Sequence, residues 1–214
     1  MEVVEWFDHL VRNRLVTTEL FGAKTWCIPG RGTPQGGVLS PLIWNLVIHF
    51  LLKKFRKGPA KVTGFADDVC LTAQSIDPHT LVDVLQDAIN KALAWGHRVG
   101  LNFNPIKTEF IVVTRKRKIN VPYLNVNGVE IKPNDTANYL GITIDNKLNW
   151  RANIKSKRRK AIKAINAIKP LIRNNWGLRP NRVIWTIESI ITPMVTHGAI
   201  VWARPDKVGA LKIM

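Results

Sequence analysis

Apolar residues recur at three- and four-residue spacing in some parts of the chain and alternate with polar ones in others. Between His79 and Val99, Leu81, Val84, Leu85, Ala88, Ile89, Ala92 and Trp95 share one helical face, and Gly100 follows as a terminator. Leu42–Leu52 predicts a more evenly apolar helix, with Ser40 as its cap and Pro41 in its first turn. Glu2–Leu15 is helical by period and makes Asp8 an exposed helix residue. Lys61–Phe65 and Val69–Ala73, separated by Ala66-Asp67-Asp68, carry the pattern of a β-hairpin. Leu20–Ile28 predicts a strand pair closed near Gly22, and Phe110–Thr114 a strand. Val121–Asn125 with Gly128–Ile131 reads as a small hairpin, and Tyr139–Ile144 as a further strand. From Asn149 the pattern is helical, broken at Pro170, Gly177, Pro180 and Pro193, and Val183–Trp202 reads as a buried amphipathic helix and a turn. Helices mixed with antiparallel hairpins, then helices alone, predict an α+β fold.

Charge changes this picture. The 214 residues carry 32 Lys and Arg against 15 Asp and Glu, a net charge of +17, while 46% are apolar. That composition excludes a largely structureless chain. The excess is uneven: residues 1–100 have a net charge of +2, and residues 101–214 have +15. Between Arg151 and Arg182 there are 11 cations and no carboxylate, which points to a polyanionic partner rather than a merely solvated helix face. Two cysteines, Cys27 and Cys70, make neither a disulfide framework nor a zinc site, so a reducing, intracellular setting (nucleus or cytoplasm) is expected. Val183–Trp202 contains Glu188, Pro193 and His197, so no membrane span is expected. His49, His79, His97 and His197 lack metal-ligand spacing. Trp150, Trp176, Trp185 and Trp202 read as packing anchors, with base stacking as the alternative.

Two segments carry candidate chemistry. Asp67 and Asp68 could be ordinary turn residues. A hairpin tip can also present carboxylates to Mg²⁺, which prefers hard oxygen ligands and completes its shell with water and phosphate. In phosphoryl transfer a pair of such ions clamps the attacking and leaving oxygens. Gly32–Pro41, GTPQGGVLSP, places glycines at the entrance of a helix, where backbone N–H groups and the dipole favour anions. Alone it is a tight connection; followed some thirty residues later by the Asp-Asp hairpin it is a specific signature.

With these segments in order, the chain resembles the reverse transcriptases of non-LTR (LINE-like, jockey/I/R1-type) retrotransposons. The resemblance rests on GTPQGGVLSPLIWNLV, GFADDV, WGHRVGLNFNPIKTEF, NYLGITIDNKLNW and NNWGLRP. It implies that Asp67 and Asp68 are catalytic metal ligands for Mg²⁺ or Mn²⁺. Pro34, Gln35, Gly36 and Gly37 would line the pocket for template and incoming dNTP. Lys107 would stand near the triphosphate as a proton donor, Tyr139, Leu140 and Gly141 would belong to the primer-gripping hairpin, and the partners would be an RNA template and a DNA primer. Arg151, Lys155, Lys157, Arg158, Arg159, Lys160 and Lys163 would track the nucleic-acid backbone. Residues 1–145 are then expected to form part of a palm, an antiparallel sheet with packed helices, and 146–214 a basic helical thumb.

The resemblance also implies a further catalytic Asp on a strand upstream of the glycine-rich block, with the fingers before it. Asp8 lies only 24 residues before Gly32 and within a helical pattern, so it is not that residue. The expectation is a palm-and-thumb fragment of low or absent activity, with an unpaired strand edge beside the hairpin. A nucleic-acid-binding remnant without chemistry, or a group II intron maturase-like protein, is the alternative.

Overall fold

A computed structural model describes residues 5, 8–9, 12, 15–117, 119–172 and 176–203. Most of the Glu2–Leu15 helix expectation lies outside the described residues. Glu5, Asp8, His9 and Arg12 are helical, and exposed Asp8 pairs with Arg12 one turn on at 2.7 Å.

Strands β1 (Val16–Leu20) and β2 (Ala23–Cys27) form an antiparallel hairpin whose ten residues are all exposed. It starts earlier than the Leu20–Ile28 expectation, because Phe21-Gly22 at φ 51° and 82° make the turn itself rather than ending a strand. Helix α1 (Ser40–Lys54) follows, then the hairpin of β3 (Lys61–Phe65) and β4 (Asp68–Thr72), then helix α2 (Pro78–Val99). Beyond a 3-10 turn at Pro105–Lys107 come β5 (Phe110–Ile111), β6 (Leu124–Val126), β7 (Val129–Ile131), β8 (Pro133–Asn134), β9 (Thr136–Tyr139) and β10 (Ile142–Asp145).

Helix α2 is the shared core element. Its N-terminus is capped by the Asp77 carboxylate, which accepts from Thr80 N at 2.7 Å, with Pro78 in the first turn. Its C-terminus closes at Gly100, φ 73°, with Leu101 N–H reaching Gly96 O at 2.8 Å. Ala88, Ala92 and Trp95 pack with Ile48 and Leu51 of α1 and with Phe55 just past its end, over Val62, Val69 and Leu71 of the β3–β4 hairpin. Val82, Leu85 and Ile89 pack with Phe110, Leu124, Val126 and Ile131 in a second cluster. Each large side chain buried this way contributes about 1.5–3 kcal/mol, so the β3–β4 hairpin lies on a firm floor.

Several expectations need correction. The described strands form five separate two-stranded sheets rather than one antiparallel palm sheet, and β5 pairs with β8 in parallel. Phe110–Thr114 is a strand only at Phe110–Ile111, since it meets only the two residues of β8. Tyr139–Ile144 is two strands, β9 and β10, reversed at Leu140-Gly141, whose φ of 49° and 75° suit a tight hairpin turn. Ser40 does not cap α1; its hydroxyl donates instead to Pro34 O at 2.5 Å, and Leu39 takes the capping position. The expected buried helix Val183–Trp202 is a broken, mostly exposed series: α4 (Pro180–Thr186), a π-helical turn (Ile187–Ile191), α5 (Thr192–Thr196) and α6 (Ala199–Trp202). Pro193 has no N–H to donate, and the α register is lost just before it.

Helix α3 (Arg151–Ile168) joins the last hairpin without a loose linker. Asp145 ends β10 buried and accepts N–H groups from Lys147 and Asn149 at 3.1 Å and from Trp150 at 2.7 Å. One helical turn in, the buried Asn153 side chain accepts Thr143 N–H at 3.2 Å. Among the described residues no helix is long and apolar enough to cross a membrane.

Candidate active site

The glycine-rich segment is built around a reverse turn. Gly37 N–H donates to Pro34 O at 3.1 Å, and Gly36 has φ 79° at the third position, the geometry of a type II turn. Gln35 at the second position is exposed. A Cβ on Gly37 would meet Ser40 Oγ at 2.8 Å and Pro34 O at 3.2 Å, so the closeness of this turn to α1 requires glycine there. Arg31, just ahead, lies against Gly100, where a Cβ would fall 2.1 Å from its guanidinium. A cation at the C-terminal end of α2 complements the helix dipole and ties the loop to the core.

Four residues into α1, about 6 Å along its axis, Trp44 donates its indole N–H to Ala66 O at 2.5 Å. Ala66 is the first residue of the β3–β4 turn, at φ 49°, a position that costs a non-glycine residue about 1–2 kcal/mol. Asp67 completes the turn and Asp68, paired with Phe65, begins β4; both are exposed. The PQGG turn, α1 and the Asp-Asp tip are therefore one connected unit. Trp44 was not singled out from sequence; its only signal was an aromatic donor on a helix otherwise rich in aliphatic residues.

The β9–β10 hairpin approaches the same region. Burial raises the Tyr139 phenol above its usual range, and the charges of Cys70 and then Asp68 add to the effect. Among the described residues its buried hydroxyl meets no hydrogen-bond partner. Leu140 O meets His197 Nε2 at 2.9 Å, and Trp202 Nε1 donates to His197 O at 3.0 Å, so the hairpin tip rests on the corner before α6. Lys107 is exposed in its 3-10 turn, braced by Asn104, whose side chain accepts Ile106 N–H at 2.9 Å. Among the described residues no ion pair joins Lys107 to Asp67 or Asp68.

Of the basic residues on α3, Arg151, Lys155, Arg158, Arg159, Lys160 and Lys163 are exposed. Lys157 is not: it is 6% exposed and sits 5.9 Å from the Trp202 ring. Desolvation, then the neighbouring Lys160, holds its pKa below the usual lysine value. Its expected place on the outer basic face is thus corrected, since Asn153 and Lys157, one turn apart, form the inward stripe of α3. Trp202 is a packing anchor, as expected, whereas Trp176 and Trp185 are 59% and 57% exposed. Cys27 and Cys70 are both free.

Two hard-oxygen carboxylates at a rigid, exposed tip suit a divalent ion that keeps its waters. Among the described residues no three His, Cys, Asp or Glu side chains converge on one point.

The profile of the reverse transcriptase (RNA-dependent DNA polymerase) family matches residues 4–144, a stretch that contains the PQGG turn, α1 and the Asp-Asp hairpin. The chain belongs to that family. This reverse transcriptase chain is 24% identical over 176 residues to a retrovirus-related Pol polyprotein from the type-1 retrotransposable element R1 2 of Nasonia vitripennis, covering 80% of the chain and 43% of that protein. It is 26% identical to a probable RNA-directed DNA polymerase from transposon X-element of Drosophila melanogaster, with 80% and 19% covered. Against the RNA-directed DNA polymerase from mobile element jockey of the same fly it is 24% identical, with 85% and 20% covered. These relatives agree with the non-LTR resemblance in the sequence. The chain spans 43% of the first of them and about a fifth of the other two. No solved structure matches it. Reverse transcriptases work on a nucleic-acid template and primer and generally use divalent metal ions.

Proposed function

We propose that the chain is the palm-and-thumb portion of a non-LTR retrotransposon RNA-directed DNA polymerase, with residues 1–145 as partial palm and 146–214 as thumb. The observation that carries this reading is the coupling of the PQGG turn to the Asp-Asp tip through α1 and Trp44. Asp67 and Asp68 hold Mg²⁺ or Mn²⁺, which when bound supplies positive charge to the reacting phosphates. Pro34, Gln35, Gly36 and Gly37 line the place for template and incoming dNTP. Tyr139, Leu140 and Gly141 hold the primer end, Lys107 stands ready to donate a proton to the leaving pyrophosphate, and the exposed cations of α3 follow an RNA template and DNA primer. The activity is intracellular, in nucleus or cytoplasm.

The absence of a third converging carboxylate among the described residues supports a second element of the reading. Among the described strands, β3 and β4 pair only with each other, leaving an unpaired edge beside the aspartates. We infer that the isolated chain is a poor polymerase, and the non-catalytic nucleic-acid-binding reading stands as the alternative. Template–primer extension with Mg²⁺ or Mn²⁺ tests this: trace incorporation, abolished by Asp67→Asn, is expected. Robust incorporation by the purified chain contradicts the inferred incompleteness.

A further inference from the structure

The basic cluster at the end of α1 has no part in the site above. From Lys53 to Lys61 there are five cations and no carboxylate. Lys53 and Lys54 lie in the last turn of α1, where cations complement the helix dipole. That argument does not reach Arg56, beyond the helix, or Lys61, on β3. The fold gathers His49, Lys53, Arg56 and Lys61 around one open cleft of about 510 Å³, with Phe55 and Val62 at its base. All four basic side chains are exposed, and none has a carboxylate partner among the described ion pairs. The cleft follows β3 at the end opposite the Asp-Asp turn, about 13 Å from Phe65 at the usual strand rise.

We propose that this cleft is a second nucleic-acid-binding surface, taking the sugar–phosphate backbone of a single strand outside the grip of α3. Three cations without an opposing acid, with His49 beside them, create a positive potential that a polyanion relieves. Phe55 is buried and offers no face for base stacking, so the cleft reads phosphates and not sequence. The cleft is lined from both the end of α1 and the start of β3, so its cations are spread over two elements, which suits successive phosphates of a polymer. A nucleic acid is favoured over an acidic peptide because the chain's family works on nucleic-acid template and primer. The proposal rests on that membership and not on metal binding at Asp67.

The test is fluorescence anisotropy of a labelled single-stranded RNA with the full chain, titrated with KCl in EDTA so that metal binding plays no part. In the variant carrying Lys53→Gln, Arg56→Gln and Lys61→Gln, the log–log salt slope is expected to fall by about 2, at roughly 0.7 per phosphate contact. Affinity at about 0.1 M salt falls roughly 10- to 100-fold, while Lys53→Arg with Lys61→Arg keeps the slope. In the unaltered chain, 4-thiouridine crosslinks are expected on the peptide around Lys53–Thr63, a readout that needs no substitution. An unchanged slope in a folded triple variant, or crosslinks confined to α3, overturns the proposal. So does competition by poly-glutamate equal to that of RNA of matched charge, which assigns the cleft to an acidic protein.

Discussion

The Trp44 indole N–H and the Ala66 carbonyl oxygen, 22 residues apart, lie 2.5 Å from each other and fix the aspartate turn to the helix that begins at the PQGG loop. Ala66 holds a positive φ of 49° that its side chain does not favour, so the turn depends on outside restraint. Trp44→Phe keeps most of the ring's bulk and removes the donor. Stability is expected to fall by about 0.5–1.5 kcal/mol in urea unfolding, with a parallel loss of divalent-ion affinity at the tip.

Two glycines in one loop should respond differently to alanine. Gly36 has φ 79°, and Gly36→Ala is expected to cost about 1–2 kcal/mol. Gly30 has no unusual φ and nothing within 4 Å of an added Cβ, so Gly30→Ala stays within about 0.5 kcal/mol. Thermal unfolding of the two variants side by side checks the turn assignment.

Local periodicity made part of this fold legible. Helix α2 appears at Pro78–Val99 against an expected His79–Val99, and β3 at Lys61–Phe65 as expected, because a strong apolar face and a two-residue alternation are local signals. The parallel β5–β8 pair was not legible, since it joins residues more than twenty positions apart with no helix between them. The Asp67-Asp68 pair and the glycine loop were visible as motifs, while the contact that couples them depends on a tryptophan with no motif of its own. Lys157 looked like its basic neighbours; only packing against Trp202 sets it apart. Asp145 stands in no motif of its own, and its capping role emerges only from the turn it closes.

That role has a pH signature. Burial alone would raise the Asp145 pKa, but N–H donors from Asn149, Trp150 and Lys147 outweigh it and hold the carboxyl below 3.8. The unfolded chain therefore binds the proton more readily, and stability contributed by Asp145 is present above that value and lost as pH falls through the lower folded value. Asp145→Ala, which strands these donors beside Leu148 and Trp150 at φ 51° and 64°, is expected to cost about 2–4 kcal/mol at neutral pH. The acid limb of its stability profile should be shallower than that of the unaltered chain, as urea unfolding between neutral pH and acid would show.

Lys157 and its neighbours on α3 should separate cleanly. Lys157→Met removes a desolvated cation and is expected to be neutral or stabilising by up to about 2 kcal/mol, with duplex binding unchanged. Because the folded state gives up this proton more readily than the unfolded one, the unaltered chain gains stability relative to the variant as pH rises toward 10.5. Arg158→Gln with Arg159→Gln, both exposed, should leave stability unchanged and reduce the salt slope of duplex binding by about 0.9 for each phosphate no longer neutralised.

The most direct measurement is Mn²⁺-induced broadening of backbone amide NMR signals with template–primer bound. Broadening centred on Phe65–Cys70, absent from Asp67→Asn, is the result expected of a metal-holding hairpin tip. Broadening that is the same in Asp67→Asn, or that falls elsewhere in the chain, would contradict the polymerase reading and leave a nucleic-acid-binding protein without chemistry.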